Sequence, residues 1–128
     1  MIDVEATLRA YLAGVAGIAA VAGARVYAGS GLPAGYQASD GPALVFSVRG
    51  GGPDYSSKVL YPSVQFRAYG ETEADARQLD RALFDGLNDV KYGMIKWARC
   101  EVLGQMVREP STGWSYVISF YRVMMGNP

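Results

Sequence analysis

The chain has 128 residues and 13.7 kDa, with twelve basic and twelve acidic side chains, no histidine and one cysteine. That is the length of one domain, and half of it is hydrophobic, so it has enough apolar material to bury a core of its own. The missing histidine excludes Ser-His-Asp and Cys-His nucleophile pairs and histidine metal sites, and a lone Cys100 excludes an internal disulfide or a thiolate zinc site.

Residues 2–22 carry Val4, Leu8, Tyr11, Leu12, Val15 and Ile18 at three-to-four spacing, which predicts an amphipathic helix capped by Asp3. Gly14 and Gly17 divide it into a longer first helix and a short second one ending at Gly23. The uncharged run from Ala10 to Ala24 is fifteen residues, seven of them Ala and three Gly. It would span roughly 22 Å as a helix, short of a bilayer core of about 30 Å. Asp3 and Glu5 give its leader the wrong polarity for an export signal, so a packing helix is expected and no membrane contact.

Arg25-Val26-Tyr27 reads as a short extended piece, followed by a long Gly/Ser/Pro/Asp loop over 28–42. Residues 43–49 predict a buried strand, and the Gly-rich stretch 50–57 a loop tip. Residues 57–69 alternate, with Val64, Phe66 and Ala68 on one face and Gln65, Arg67 and Tyr69 on the other. Pro62 early in this run predicts an edge or a bulge. Residues 72–89 predict a helix capped by Thr72, with Ala76, Leu79, Leu83, Leu87 and Val90 buried and Glu73–Arg77 and Arg81–Asp85 as solvated pairs. Two strands, 96–108 and 114–124, close the chain as a hairpin through Glu109–Gly113. The order α-β-β-β-α-β-β predicts one α+β domain over 1–128: a mainly antiparallel four-stranded sheet with two principal helices packed on one face.

Candidate chemistry is sparse. Gly29-x-Gly31-x-x-x-Gly35 lacks the helix start that a dinucleotide loop needs, and Gly50-Gly51-Gly52 lacks a P-loop ending. Asp75, Asp80, Asp85 and Asp89 alternate with arginines, the pattern of a solvated helix face. Glu101, near Arg99 or Arg122, reads as one half of a structural ion pair, and Cys100 as a small core or half-core side chain. No catalytic, cofactor-binding or metal-ligating residue is assigned. Charge is balanced locally as well: residues 1–56 and 57–92 each sum to −1 and residues 93–128 to +2, so no basic stripe lies along the sequence.

Nine tyrosines and a nine-to-three ratio of Arg to Lys point elsewhere, because interfaces favour these residue types. Tyr36, Tyr55 and Tyr61 fall in or beside the Gly-rich loops, and Trp114 and Trp97 stand at strand ends. Tyr36, Arg49, Tyr55, Lys58, Tyr61, Arg108 and Trp114 are therefore the candidate contact residues for a neighbouring subunit or partner.

The segments "AAVAGARVYAGSGLP", "PALVFSVRGGG", "YPSVQFRAYGET", "ADARQLDRALFDGL" and "REPSTGWSYVISFYRVMM" occur in this order along nearly the whole chain. In that order the chain resembles the tail terminator (tail completion, or minor tail) proteins of long-tailed phages and prophage-derived particles. The resemblance implies a structural protein without catalysis or cofactor. It also implies a hexameric ring at the head-proximal end of the tail, assembled in the host cytoplasm. The implied partners are further copies of the chain, the tail tube protein, a neck or head-completion protein and the tape measure protein, with DNA passing through the lumen without specific binding. The other readings left open are a different head–tail connector or tail tube component, or a small-molecule-binding domain or carboxylate-dependent enzyme built around Glu101.

Overall fold

A computed structural model of the chain describes residues 2–29, 31–53 and 59–126. Helices α1 (Val4–Ala13) and α2 (Ala16–Ala22) meet at a bend of 83°. Gly14 ends the first with its N–H on the Leu12 and Tyr11 carbonyls, and Gly23, at φ +57°, ends the second. The Asp3 side chain accepts from the Ala6 N–H as expected of an N-cap. No single helix among the described residues is long and apolar enough to cross a membrane. The apolar stripe of this pair, Leu8, Leu12, Ile18 and Ala22, lies wholly inside the core.

Strands β1 (Val26–Ala28), β2 (Ala43–Pro53), β3 (Val59–Gly70), β4 (Ile95–Arg108) and β5 (Ser115–Gly126) form one sheet in the order β1-β2-β3-β5-β4. The expected antiparallel four-stranded sheet is present, but it gains a fifth strand: β1 pairs with β2 in parallel. A parallel neighbour requires the chain to return to its starting edge before running forward again. Residues 31–42 belong to that return, and among them one 3₁₀ turn forms at Ala38–Asp40.

Two further expectations change at the β2–β3 ladder. Gly50, Gly51 and Gly52, expected at a loop tip, continue β2, while 54–57 lie outside the described residues. Pro62 lies in an interior strand, not at an edge, and its bulge reading holds. Val48 pairs with Val64 and Gly51 with Pro62, so Arg49 and Gly50 together oppose the single residue Ser63. Gly51 is at φ +99°, and a Cβ there would collide with the Tyr61 carbonyl and the Pro62 backbone.

Helix α3 (Glu73–Leu87) has Thr72 as its N-cap, the hydroxyl accepting from the Asp75 N–H at 3.2 Å. Its Ala76, Leu79, Leu83 and Leu87 are buried as the spacing predicts, against Val64, Phe66, Ala68, Val117 and Val123 from the sheet. Asn88 and Asp89 then turn the chain into β4. Asp89 adopts φ +61°, its N–H donates to the Ala98 carbonyl at 2.7 Å, and the Asn88 side chain accepts from the Cys100 N–H at 2.8 Å. All three helices lie on one face of the sheet. Among the described residues the opposite face has no α-helix, only the 3₁₀ turn at Ala38–Asp40.

Candidate subunit interface

Period-two alternation assigns each strand residue to a face. On the face away from the helices lie Ala43, Val45, Ser47, Gln65, Arg67, Tyr69, Tyr116, Ile118, Phe120 and Arg122. This face has two halves. At one end Ala43 and Val45 are fully buried and Tyr69 is only 3% exposed, because the loop 31–42 folds back over them. Tyr36 fastens that loop: its hydroxyl donates to the Gly41 carbonyl at 2.5 Å and its ring meets Trp114 edge-on at 5.6 Å. Arg25 Nε donates to the Pro42 carbonyl at 2.8 Å, and Gln37 and Asp40 cap the 3₁₀ turn reciprocally. Burial pushes the Tyr36 and Tyr69 hydroxyls above their ordinary ionisation range, with Arg25 and Arg67 respectively opposing it.

The other half of the face is half-buried to exposed, with no helix or loop laid over it among the described residues, and is built from arginines set beside aromatic rings. The bulge turns Arg49 so that its guanidinium donates to Gln65 Oε1 at 2.9 Å and sits 5.7 Å from the centroid of Phe120. Arg67 lies 5.8 Å from the Tyr69 centroid and donates to its hydroxyl at 3.1 Å. Arg122 donates to the Tyr61 carbonyl at 3.2 Å and pairs with Glu101 at 3.6 Å. Arg99 lies 4.8 Å from the Trp97 centroid and pairs with Asp89 at 3.6 Å, through side chains that are both well exposed. Such exposed pairs add little stability. Stacked on a ring, a guanidinium has its carbon surface covered and its rotamer set before any partner arrives.

The sequence-predicted contact residues fall in different places. Arg49 belongs to the uncovered half, and Tyr61 adjoins it, 36% exposed. Tyr36 is turned inward and 8% exposed, serving its own loop, and half-buried Trp114 packs against it. Arg108 is exposed at the end of β4, beside the hairpin turn. Tyr55 and Lys58 lie outside the described residues. Sequence reasoning missed Arg67, Phe120 and Arg122 as parts of one surface, since only the pairing of β2, β3 and β5 brings them beside Arg49. It also read the charge as evenly spread, yet this half-face gathers four arginines against two carboxylates, Glu101 and Asp89.

On the helical side, Asp80 departs from the solvated face assigned to it. Its carboxylate is half-buried between α3 and the sheet, beside Gly104 and the Ser119 hydroxyl. Burial raises its ionisation above the ordinary 3.8, while the Ser119 hydroxyl and then Arg77 and Arg81 pull it back. Ser119 Oγ is buried without a hydrogen-bond partner among the described residues, beside the Asp80 carboxylate. Cys100 is half-buried as expected, its thiol donating to the Val102 carbonyl at 3.3 Å. Glu101 joins Arg122 in the expected ion pair. Among the described residues no three acidic or cysteine side chains converge in a metal-binding group. A shallow depression of about 520 Å³ between α2 and α3 is floored by Gly17, Ala20 and Ala82.

No protein-family model matches the sequence, and no curated protein matches it. Among solved structures, the chain is similar to one from the "Virion of native gene transfer agent (GTA) particle", with a TM-score of 0.68 at 17% identity. The match covers 97% of this chain and 98% of that one, so the two share a fold from end to end.

Proposed function

We propose that the chain is a structural virion protein of the tail terminator kind, which forms a ring at the head-proximal end of a phage-type tail, stops polymerisation of the tail tube and joins it to the neck. The observation that carries this reading is the end-to-end likeness to a chain of a gene transfer agent virion, over 97% of this chain and 98% of that one. The order of sequence segments supports the same conclusion independently. The uncovered half-face supports an assembly role, because Arg and aromatic side chains with pre-set rotamers bind a protein surface at low entropic cost. Its partners would be further copies of itself, the tail tube protein and a neck protein, with DNA passing through the lumen. Arg49, Tyr61, Arg108 and Trp114, together with Tyr55 and Lys58, are the residues assigned to these contacts.

Electron microscopy of the purified chain mixed with its tail tube protein tests the proposal. Rings capping tube ends are expected. Open polymers formed by the chain alone would identify a tube component instead, and tubes left uncapped beside a purely monomeric chain would end the terminator reading.

A further inference from the structure

We infer that the uncovered half of the sheet is a self-association surface that receives the acidic start of α3, Glu71 and Glu73, from a second copy of this chain. Three observations lead there. The half-face mixes guanidinium groups with half-buried apolar side chains, Ile118, Phe120 and Met124, rather than with other polar groups. A surface of that kind loses water only against a partner that is both acidic and partly apolar.

Among the described residues, the cations set beside rings or carboxylates on this half-face are arginines: Arg49, Arg67, Arg99 and Arg122. Non-specific phosphate binding is served equally well by lysine, whereas forked, ring-stacked arginine suits carboxylates on a folded surface. This favours protein over nucleic acid as the occupant.

The complementary charge is on the same molecule. The helical layer, residues 2–24 and 71–88, holds seven acidic and three basic side chains. The remaining described residues hold four acidic and eight basic ones. The neutral total therefore conceals a net −4 in the helical layer and +4 in the remaining described residues, where Arg49, Arg67, Arg99 and Arg122 share the half-face. The densest acidic run is Glu71, Glu73 and Asp75, with no basic residue before Arg77, and residues 71–74 are exposed and end in the small Ala74. A contact between unlike poles is heterologous, so it repeats from copy to copy and closes into a ring when its rotation divides a full turn. The inference rests on the proposed ring for this closure, and it adds which two surfaces meet.

Charge reversal tests it on the full chain by sedimentation over a concentration series. Arg49→Glu with Arg67→Glu on the sheet, or Glu71→Arg with Glu73→Arg on the helix, should each raise the concentration needed for assembly by about tenfold or more. An equimolar mixture of the two variants should restore assembly, because each supplies the pole that the other now needs. Arg49→Glu alone changes one exposed side chain and should weaken association several-fold with an unchanged circular dichroism spectrum and melting temperature.

The inference is overturned if the variants assemble like the parent, if the mixture stays dissociated, or if the parent is monomeric at every concentration. It is equally overturned if the parent retains short duplex DNA through Arg49 and Arg67 in place of self-association. Failure here is separable from failure of the terminator reading. Variants that still cap tubes in intact rings sink the contact alone, whereas rings built by this contact that never cap a tube sink the terminator reading alone.

Discussion

The carboxylate of Asp80 lies against Gly104 so closely that a Cβ on residue 104 would stand 2.5 Å from Oδ2. The same Cβ would overlap the Val117 side chain. Helix α3 can settle on β4 and β5 at this depth only because residue 104 has no side chain. Gly104→Ala should therefore destabilise the protein by about 1–3 kcal/mol, the usual cost of forcing an extra carbon into a packed contact. Urea unfolding measures it, and a loss below about 0.5 kcal/mol would show that α3 can lift away without cost.

Asp80 also makes a pH signature. Its folded-state ionisation is raised by burial, so the folded protein holds this proton to higher pH than the unfolded chain does. The stability contributed by the protonated group is complete below the ordinary 3.8 and is lost as pH rises through the raised folded value. Asp80→Asn has no such proton to lose. The stability of the variant minus that of the parent should thus increase as pH goes from about 4 to 7, where the parent bears a half-buried charge. A difference that stays flat across that range would mean Asp80 is fully hydrated.

Asp89 holds a left-handed backbone at φ +61° while its N–H bonds the Ala98 carbonyl at the entrance to β4. A β-branched residue pays heavily in this conformation, whereas Asn adopts it nearly as well as Asp. Asp89→Val should cost about 1–2 kcal/mol, and Asp89→Asn should stay within about 0.5 kcal/mol of the parent. Equal melting temperatures for the two variants would show that the turn relaxes to another conformation.

Tyr36 separates a loop anchor from an interface residue. If it serves the loop, Tyr36→Ala removes a buried ring and its bond to Gly41, costs about 3 kcal/mol and exposes 31–42 to proteolysis in the monomer. Tyr36→Phe should lose only about 0.5–1.5 kcal/mol, the hydroxyl bond alone. Limited proteolysis and thermal melting of the monomer read both. An unaltered monomer with impaired assembly would return Tyr36 to the interface.

Local pattern carried most of the fold. The 3.6-residue stripe through Ala76, Leu79, Leu83 and Leu87, the Thr72 cap, the glycine breaks at 14 and 23 and the closing hairpin are all properties of neighbouring residues. They were legible because each rests on interactions within a few positions of the chain. The place of β1 in the sheet was not. An extended piece was expected at Arg25–Tyr27, but three residues carry no sign of a sheet neighbour, and what joins Val26–Ala28 to the sheet in parallel is the edge of β2, supplied from residues 44–46. Pro62 shows the same limit: its missing N–H announced an interruption, but whether that fell at an edge or inside the sheet depended on β5 arriving at its other side.

The site divides in the same way. From composition alone come the absence of histidine chemistry, a single thiol, and an arginine- and tyrosine-rich surface suited to contact. Tertiary structure decided which of those residues remain available, turning Tyr36 inward and setting Arg49, Arg67 and Arg122 side by side from three separate strands. It also decided where the charge lies. Net charge is a sum and carries no direction, so twelve against twelve reads as neutral along the sequence. Seven acidic against three basic residues in the helical layer, and four arginines brought together on the other face of the sheet, distribute that same sum unevenly in space.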